Sequence, residues 1–297
     1  MRRVLKWLGI GTGSLAGIAL VAAGAIYAVS ARRMAATWDV TPAELTVPDD
    51  SAAIARGRHF TRAIAKCMDC HRPDYSGKVV IDDPMLGRIA APNITPAGIT
   101  RDFTTADWVR AIRHGVRSNG RSVVVMPSFE YYHISDADLA DMIAYLRSLR
   151  PVANDSLPPT RIGPMGRFLI ATSAFPVLSA SAIDHAAPHP GAPTAAPTPE
   201  YGQYLASIGC VGCHGTDMKG GKPPAPPAPD LTPTGKIAGW TESDFRTALR
   251  SGKRPDGTVV GPDMPWPLTS EMTDMEISAV WAYLQSLGPA SVASQGR

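Results

Sequence analysis

Cys67-Met68-Asp69-Cys70-His71 and Cys210-Val211-Gly212-Cys213-His214 are two copies of one five-residue pattern, and together they use all 4 cysteines of the chain. In Cys-x-x-Cys-His, two thiols add across the vinyl groups of a porphyrin, and the histidine after the second cysteine is carried under the ring to ligate iron. The pattern predicts two covalently bound haem c groups. Cys67, Cys70, Cys210 and Cys213 are the expected thioether sites, with His71 and His214 as one axial iron ligand each. Two other chemistries use paired cysteines. Four thiols can close a tetrahedral zinc site, and one pair can serve as a redox dithiol, but neither needs a histidine directly after the second cysteine. Covalent haem attachment takes place outside the cytoplasmic membrane, so this cysteine usage points to a periplasmic or equivalent compartment.

The sequence around the two motifs is repeated over most of a domain's length. Arg56-Gly57-Arg58-His59-Phe60 precedes the first and Tyr201-Gly202-Gln203-Tyr204-Leu205 the second. Downstream, Pro92-Asn93-Ile94-Thr95-Pro96 matches Pro229-Asp230-Leu231-Thr232-Pro233, and the stretch from Phe103 to Trp108 matches that from Trp240 to Phe245. Thr and Asp there suit helix N-termini, where side-chain oxygens accept from unpaired amides. A short helix is expected to follow in each half, through Arg113 and through Arg250. Each half closes on a helical pattern, Ser135 to Leu149 and Thr273 to Leu287. Leu139, Met142, Ile143 and Leu146 share one face of the first, and Ile277, Val280, Trp281 and Leu284 one face of the second.

A low-spin electron-transfer iron needs a second axial ligand, and a thioether favours Fe(II). Met126-Pro127 and Met264-Pro265 hold corresponding places between the middle and last helices of the repeat, and proline keeps the preceding residue extended. Met126 and Met264 are therefore the expected distal ligands. Met85, Met142 and Met275 are weaker candidates, and His133 is the nitrogen competitor in the first half. Tyr131, Tyr132 and Trp266 are expected to wall the haems.

The chain has 297 residues and a formal charge of +3. Its first basic residues, Arg2, Arg3 and Lys6, and the pair Arg32 and Arg33 flank an uncharged stretch from Trp7 to Ala31, 25 residues long. That is enough to cross a hydrocarbon core of about 30 Å, and longer than the core of a cleaved signal peptide. Residues 1–33 are thus expected to be a basic N-terminus and an uncleaved transmembrane anchor in contact with membrane lipid. Gly9, Gly13 and Gly17 recur along it at a spacing that admits a close second helix. Without those five basic residues the chain is nearly neutral, so it lacks the basic patches of a nucleic-acid binder. After a linker at 34–49, the repeat divides the chain into one domain at 50–150 and another at 200–288. Between them, 151–199 holds an uncharged, proline-interrupted stretch from Phe168 to Ile183, read as interfacial or packed between domains. The Pro- and Ala-rich linker that follows carries His185 and His189, read as solvated. Residues 289–297 are read as a tail.

These features resemble tandem class I cytochrome c domains, over roughly 50–150 and 200–288. The resemblance implies an all-α fold, an N-terminal transmembrane helix followed by two domains in which the first and last helices cross over the haem. Gly57 and Gly202 would let that crossing be close. It also implies that the carbonyls of Pro92 and Pro229 hold the proximal imidazoles. From Asn93-Ile94-Thr95-Pro96 to Trp108, and in the counterpart, the chain is similar to cytochrome c subunits of membrane-bound alcohol, aldehyde and gluconate dehydrogenases. Those usually carry three haem motifs, and this chain has two.

The function expected is electron transfer rather than catalysis. A di-haem cytochrome anchored in the bacterial cytoplasmic membrane, facing the periplasm, would connect a donor, either a quinol-oxidising complex or a dehydrogenase, with a terminal oxidase or other acceptor. The alternative is a di-haem peroxidase, which needs an open iron position and nearby acid-base groups. Here both halves offer a Met-Pro.

Overall fold

The N-terminal apolar stretch, with no proline to interrupt it, forms one continuous helix, α1 (Arg2–Ala35). Its side chains are exposed along nearly the whole length, and Ser30 near its C-terminal end is buried. The protein is described by a computed structural model for residues 2–189, 191–221 and 227–288. The segment 289–297, expected as a tail, lies outside the described residues.

The first half opens with α2 (Ser51–His59), whose N-terminus is closed by Asp50 accepting the Ala53 N–H at 2.8 Å. A π-helical turn (Phe60–Ile64) follows, then α3 (Cys67–His71), a hairpin of β1 (Lys78–Asp83) and β2 (Gly87–Ala91), then α4 (Thr105–Ile112), α5 (Ser128–Tyr131) and α6 (Asp136–Arg147). The connection to the second half carries β3 (Arg161–Ile162), α7 (Pro164–Thr172) and a 3-10 turn (Ser179–Ala182). The second half has α8 (Pro199–Gly209), α9 (Val211–His214), α10 (Glu242–Ser251), α11 (Trp266–Thr269) and α12 (Asp274–Ser286). Reciprocal capping boxes, Thr104 with Asp107 and Thr241 with Asp244, start the middle helices at corresponding residues.

In both halves the first and last helices touch backbone to backbone. A Cβ added at Gly57 would collide with the carbonyl of Asp141 on α6, and one at Gly202 with the carbonyl of Ala279 on α12. Only glycine permits that approach. The repeat is not uniform, however. Cys67 follows Gly57 by ten positions and Cys210 follows Gly202 by eight. The π-helical turn, with the Ala65 N–H donating to Phe60 O at 2.9 Å, takes up the extra length, as π-bulges do for inserted residues. Lys66, left-handed at φ 53°, then redirects the chain into α3.

The all-α expectation holds for most of the chain and needs correction at one place. From His71 to Pro92 there are 21 positions, against 15 from His214 to Pro229. The longer connection contains Val79, Val80, Ile81 and Ile89, β-branched residues that fit a pleated surface, and folds as the antiparallel β1–β2 hairpin. β3 pairs with β2 through Arg88 and Arg161, giving a sheet of order β1-β2-β3.

One continuous apolar core runs through both halves, from Ile64, Met68 and Met142 to Leu205, Ile208 and Ile277. Across the joint, His59 of α2 donates from Nε2 to Glu276 at the start of α12, 2.9 Å from each carboxylate oxygen. Tyr204, at the place in α8 that His59 holds in α2, donates its hydroxyl to Asp138, which holds in α6 the place of Glu276 in α12. Corresponding residues thus make reciprocal contacts, as identical surfaces do in a two-fold dimer. The joint is a pseudo-two-fold interface within one chain.

Candidate haem sites

Each Cys-x-x-Cys-His motif forms a short helical turn that ends on its histidine, α3 on His71 and α9 on His214. Both imidazoles are buried. His71 donates from Nδ1 to the carbonyl of Pro92 at 2.8 Å, and His214 from Nδ1 to that of Pro229 at 3.0 Å. Burial lowers the pKa of both rings, and the proline carbonyls only partly oppose it. The rings are therefore neutral at neutral pH, with Nδ1 protonated and fixed and the Nε2 lone pair free for a metal. Pro92 and Pro229, the proximal partners implied by the resemblance, are the residues whose carbonyls accept these two bonds.

Both motifs open onto one cavity of about 1190 Å³. This exceeds the roughly 300–1,000 Å³ of a pocket for one ligand. Cys67, Cys70, His71 and Met126 line it from the first half, and Cys210, Cys213, His214 and Met264 from the second. Apolar side chains such as Ile112, Trp108, Leu249 and Phe245 complete the walls. The four cysteines are free and half-buried. Burial pushes the Cys67 thiol up to about 12 and raises the other three, the opposite of the depressed thiol that a redox dithiol needs. Among the described residues no three His, Cys, Asp or Glu side chains converge as a cage for a bare metal ion. An apolar cavity with paired thiols at its edge and a neutral, oriented imidazole in each half fits covalent porphyrin in both.

The remaining expectations divide. Tyr131 lines the cavity and donates its hydroxyl to Ala65 O at 2.6 Å. Tyr132 and Trp266, expected beside it, do not line it. Tyr132 turns outward against His189, ring centroids 4.3 Å apart, and Trp266 packs over Gly252. His133 is exposed and away from the cavity, Met85 is exposed on the hairpin turn, and Met142 is wholly buried in the core. His185 and His189 are not simply solvated. The Nδ1 atoms of His185 and His114 are 3.1 Å apart, and His189 lies 3.1 Å from the Tyr132 carbonyl. Desolvation lowers the pKa of each, and pushes His114 down to about 4, so the cluster packs in its neutral form.

Two arrangements were not legible in the repeat. First, a strap from the interdomain segment holds the Met126 loop. Val125, left-handed at φ 66°, donates its N–H to Val177 O at 2.8 Å, Ser179 Oγ donates to the Met126 carbonyl, and the Ala180 N–H donates to Ser122 Oγ at 3.1 Å. Ser179 sits over Gly115, where the second half places the Trp266 ring over Gly252. The two methionine loops are thus backed by different groups. Second, the motifs abut across the pseudo-two-fold joint. Lys66 Nζ donates to Gly209 O at 2.9 Å and to Ile64 O at 3.1 Å. The Glu130 carboxylate lies against Gly212, where any side chain would displace it. Burial pushes Glu130 up to about 7, with Lys66 opposing. The glycines at 209 and 212 were the one sequence signal of this contact.

Comparison with known proteins agrees with this geometry. Residues 199–288 match the family model of cytochrome c, and residues 52–146 that of subunit III of the cbb3-type cytochrome c oxidase. Two cytochrome c domains stand in tandem in this chain. The chain is 29% identical over 268 residues to the cytochrome c subunit of the quinone alcohol dehydrogenase of Gluconobacter oxydans (strain 621H), covering 80% of this chain and 55% of that one. It is 33% identical over 112 residues to the gluconate 2-dehydrogenase cytochrome c subunit of Pantoea cypripedii, covering 35% and 25%. With the fructose dehydrogenase cytochrome subunit of Gluconobacter japonicus it shares 33% over 132 residues, covering 41% and 26%. The chain spans little more than half the length of these alcohol dehydrogenase subunits. Cytochrome c domains carry covalently bound haem c, and this tandem pair is similar to the cytochrome c subunits of dehydrogenases.

Proposed function

We propose that this chain is a di-haem electron-transfer protein, anchored in the cytoplasmic membrane by α1 with both haem domains on the periplasmic side, and that it serves a dehydrogenase as its cytochrome subunit. The observation that carries the reading is the duplicate set of side chains around one cavity, a Cys pair, a neutral histidine and a Met-Pro in each half. When bound, haem iron supplies a one-electron couple. The chain supplies the rest. Cys67, Cys70, Cys210 and Cys213 would hold the porphyrins through thioethers, His71 and His214, oriented by the carbonyls of Pro92 and Pro229, would each give a nitrogen to iron, and Met126 and Met264 would each give a thioether. Apolar walls exclude water and so favour the less charged state of each centre. The joint between Lys66 and Gly209 holds the two motifs in contact, which suits passage between the centres. The donor is a dehydrogenase or a quinol-oxidising complex, and the acceptor is a terminal oxidase or a quinone, the class named for the alcohol dehydrogenase relatives.

The purified holoprotein should be low-spin at both centres and titrate as two one-electron waves, without rapid peroxide turnover. Met264→Ala should keep both haems attached and lower the potential of the second wave alone. A high-spin centre with fast peroxide consumption would replace this reading with that of an enzyme. Purification in mild detergent should co-elute a dehydrogenase chain.

A further inference from the structure

The outer end of α1 does not leave the membrane through a free linker. It docks on α7. The Arg33 guanidinium donates to Ile170 O at 2.8 Å and to Ser173 Oγ, and Arg167 on α7 donates to Ser30 Oγ at 3.1 Å. The same Arg167 guanidinium stacks over the Tyr27 ring, 4.8 Å from its centroid. Met34 packs against the small core of Ile170, Val177 and Leu178.

These contacts set the depth of α7. The uncharged stretch from Trp7 to Ala31 has 25 residues, about 37 Å at ~1.5 Å per residue, against a hydrocarbon core of about 30 Å. The surplus places the last turn, which includes Tyr27, in the interfacial layer where tyrosine and snorkelling arginine both settle. A helix in contact with Tyr27, Ser30 and Arg33 is at that level too.

α7 also has the right surface. Its sequence, Pro164 to Thr172, contains no acid and one base, Arg167, already engaged with α1. Gly166 faces the β1–β2 turn at Leu86, and Ile170 is buried. On its open side Met165 and Phe168, one turn apart, are 41% and 43% exposed. Met85, whose carbonyl accepts the Met165 N–H at 2.9 Å, adds a third large apolar side chain, 53% exposed.

We infer that the Met85, Met165 and Phe168 face lies in the headgroup and acyl boundary of the phospholipid bilayer, so that α7 fixes the tilt and height of the first haem domain over the membrane. The inference rests on α1 spanning the bilayer. Continuity with α1 is what selects lipid as the occupant: the patch begins where the lipid-facing helix ends, and only one charge lies on the element between them.

The test uses the full-length holoprotein in nanodiscs of phosphatidylethanolamine and phosphatidylglycerol. The natural cysteines are held in thioethers, so an introduced cysteine takes a spin label selectively. Phe168→Cys is compared with Leu20→Cys within α1 and Val259→Cys on the second domain, by power saturation with oxygen and a water-soluble nickel chelate. The expected order is deep lipid for 20, shallow lipid for 168 and water for 259. Lipid contact at 20 with water contact at 168 overturns the inference and leaves the anchor intact. Water contact at 20 overturns the anchor reading and the inference with it. A label at 168 shielded from both reagents means that protein covers the face, which also overturns it. As a second measure, Met165→Ser with Phe168→Ser should keep haem content and membrane retention while reducing the linear dichroism of the haem bands in oriented bilayers. Unchanged dichroism counts against the inference.

Discussion

His59 and Glu276, 217 positions apart in sequence, meet across the joint with the imidazole Nε2 2.9 Å from both carboxylate oxygens. The reciprocal place is taken by Tyr204 and Asp138, so only one side of the joint carries an imidazole. The hydrogen bond that His59 donates to Glu276 raises its pKa above 6.5, outweighing desolvation. Burial opposes ionisation of Glu276, but hydrogen bonds from His59 and Thr273 win and hold its carboxyl below 4.5.

The sign follows for each partner. A raised imidazole stabilises the folded joint fully below 6.5 and loses that contribution as pH rises through the folded value. A depressed carboxyl contributes above 4.5 and loses its share as pH falls. The pair is therefore at full strength between about 4.5 and 6.5. His59→Ala should lower the melting temperature by roughly 2–4 °C at pH 6, the size expected of a partly exposed pair. The gap should close by pH 9. A gap independent of pH would mean that His59 acts by packing alone.

The two motifs, the Met-Pro pairs and the apolar faces of α6 and α12 were legible because each is local, a fixed spacing or a helical period. The π-helical turn was not, although its trace is in the sequence as two extra residues between Gly57 and Cys67; a length difference does not say whether a loop or a helix absorbs it. The hairpin at β1 and β2 hid in the same way within the longer connection from His71 to Pro92. The Ser179 strap and the His114, His185 and Tyr132 cluster join residues more than 50 positions apart, and no periodicity encodes such pairings. The placing of Trp266 away from the cavity follows from a neighbour, Gly252, that leaves room for the indole.

Gly57 and Gly202 make a paired prediction. Alanine at either site must push the crossing helices apart, because the added carbon would meet the backbone carbonyls of Asp141 and Ala279 and these have no rotamer to escape into. Each substitution should cost about 1–3 kcal/mol or more in denaturant unfolding, with haem still attached, and each should loosen its own half. Gly191→Ala, at a position with nothing within 4 Å, should be neutral. Equal stability of Gly57→Ala and Gly191→Ala would show that α2 and α6 do not cross in contact.

Ser179 offers the sharpest separation between the two methionines proposed as distal ligands. It is fully buried, and its hydroxyl donates to the Met126 carbonyl, which also accepts the Ser128 N–H at 2.9 Å. Met264 has a matching bond from the Trp266 N–H at 2.7 Å but no strap among the described residues. Removing the hydroxyl costs a net ~0.5–1.5 kcal/mol, which acts on the loop that presents Met126 rather than on the proposed ligand itself. In Ser179→Ala, imidazole should displace the thioether at the first haem roughly 2- to 10-fold faster, following that energy, while the second haem keeps its wild-type rate. Loss of the oxidised thioether-to-iron band in Met126→Leu identifies which component belongs to the first haem, so the two rates can be read in one sample. If that band survives Met126→Leu, the ligand assignment is wrong. If it is lost there but Ser179→Ala leaves both rates unchanged, Met126 ligates and the strap does not hold it.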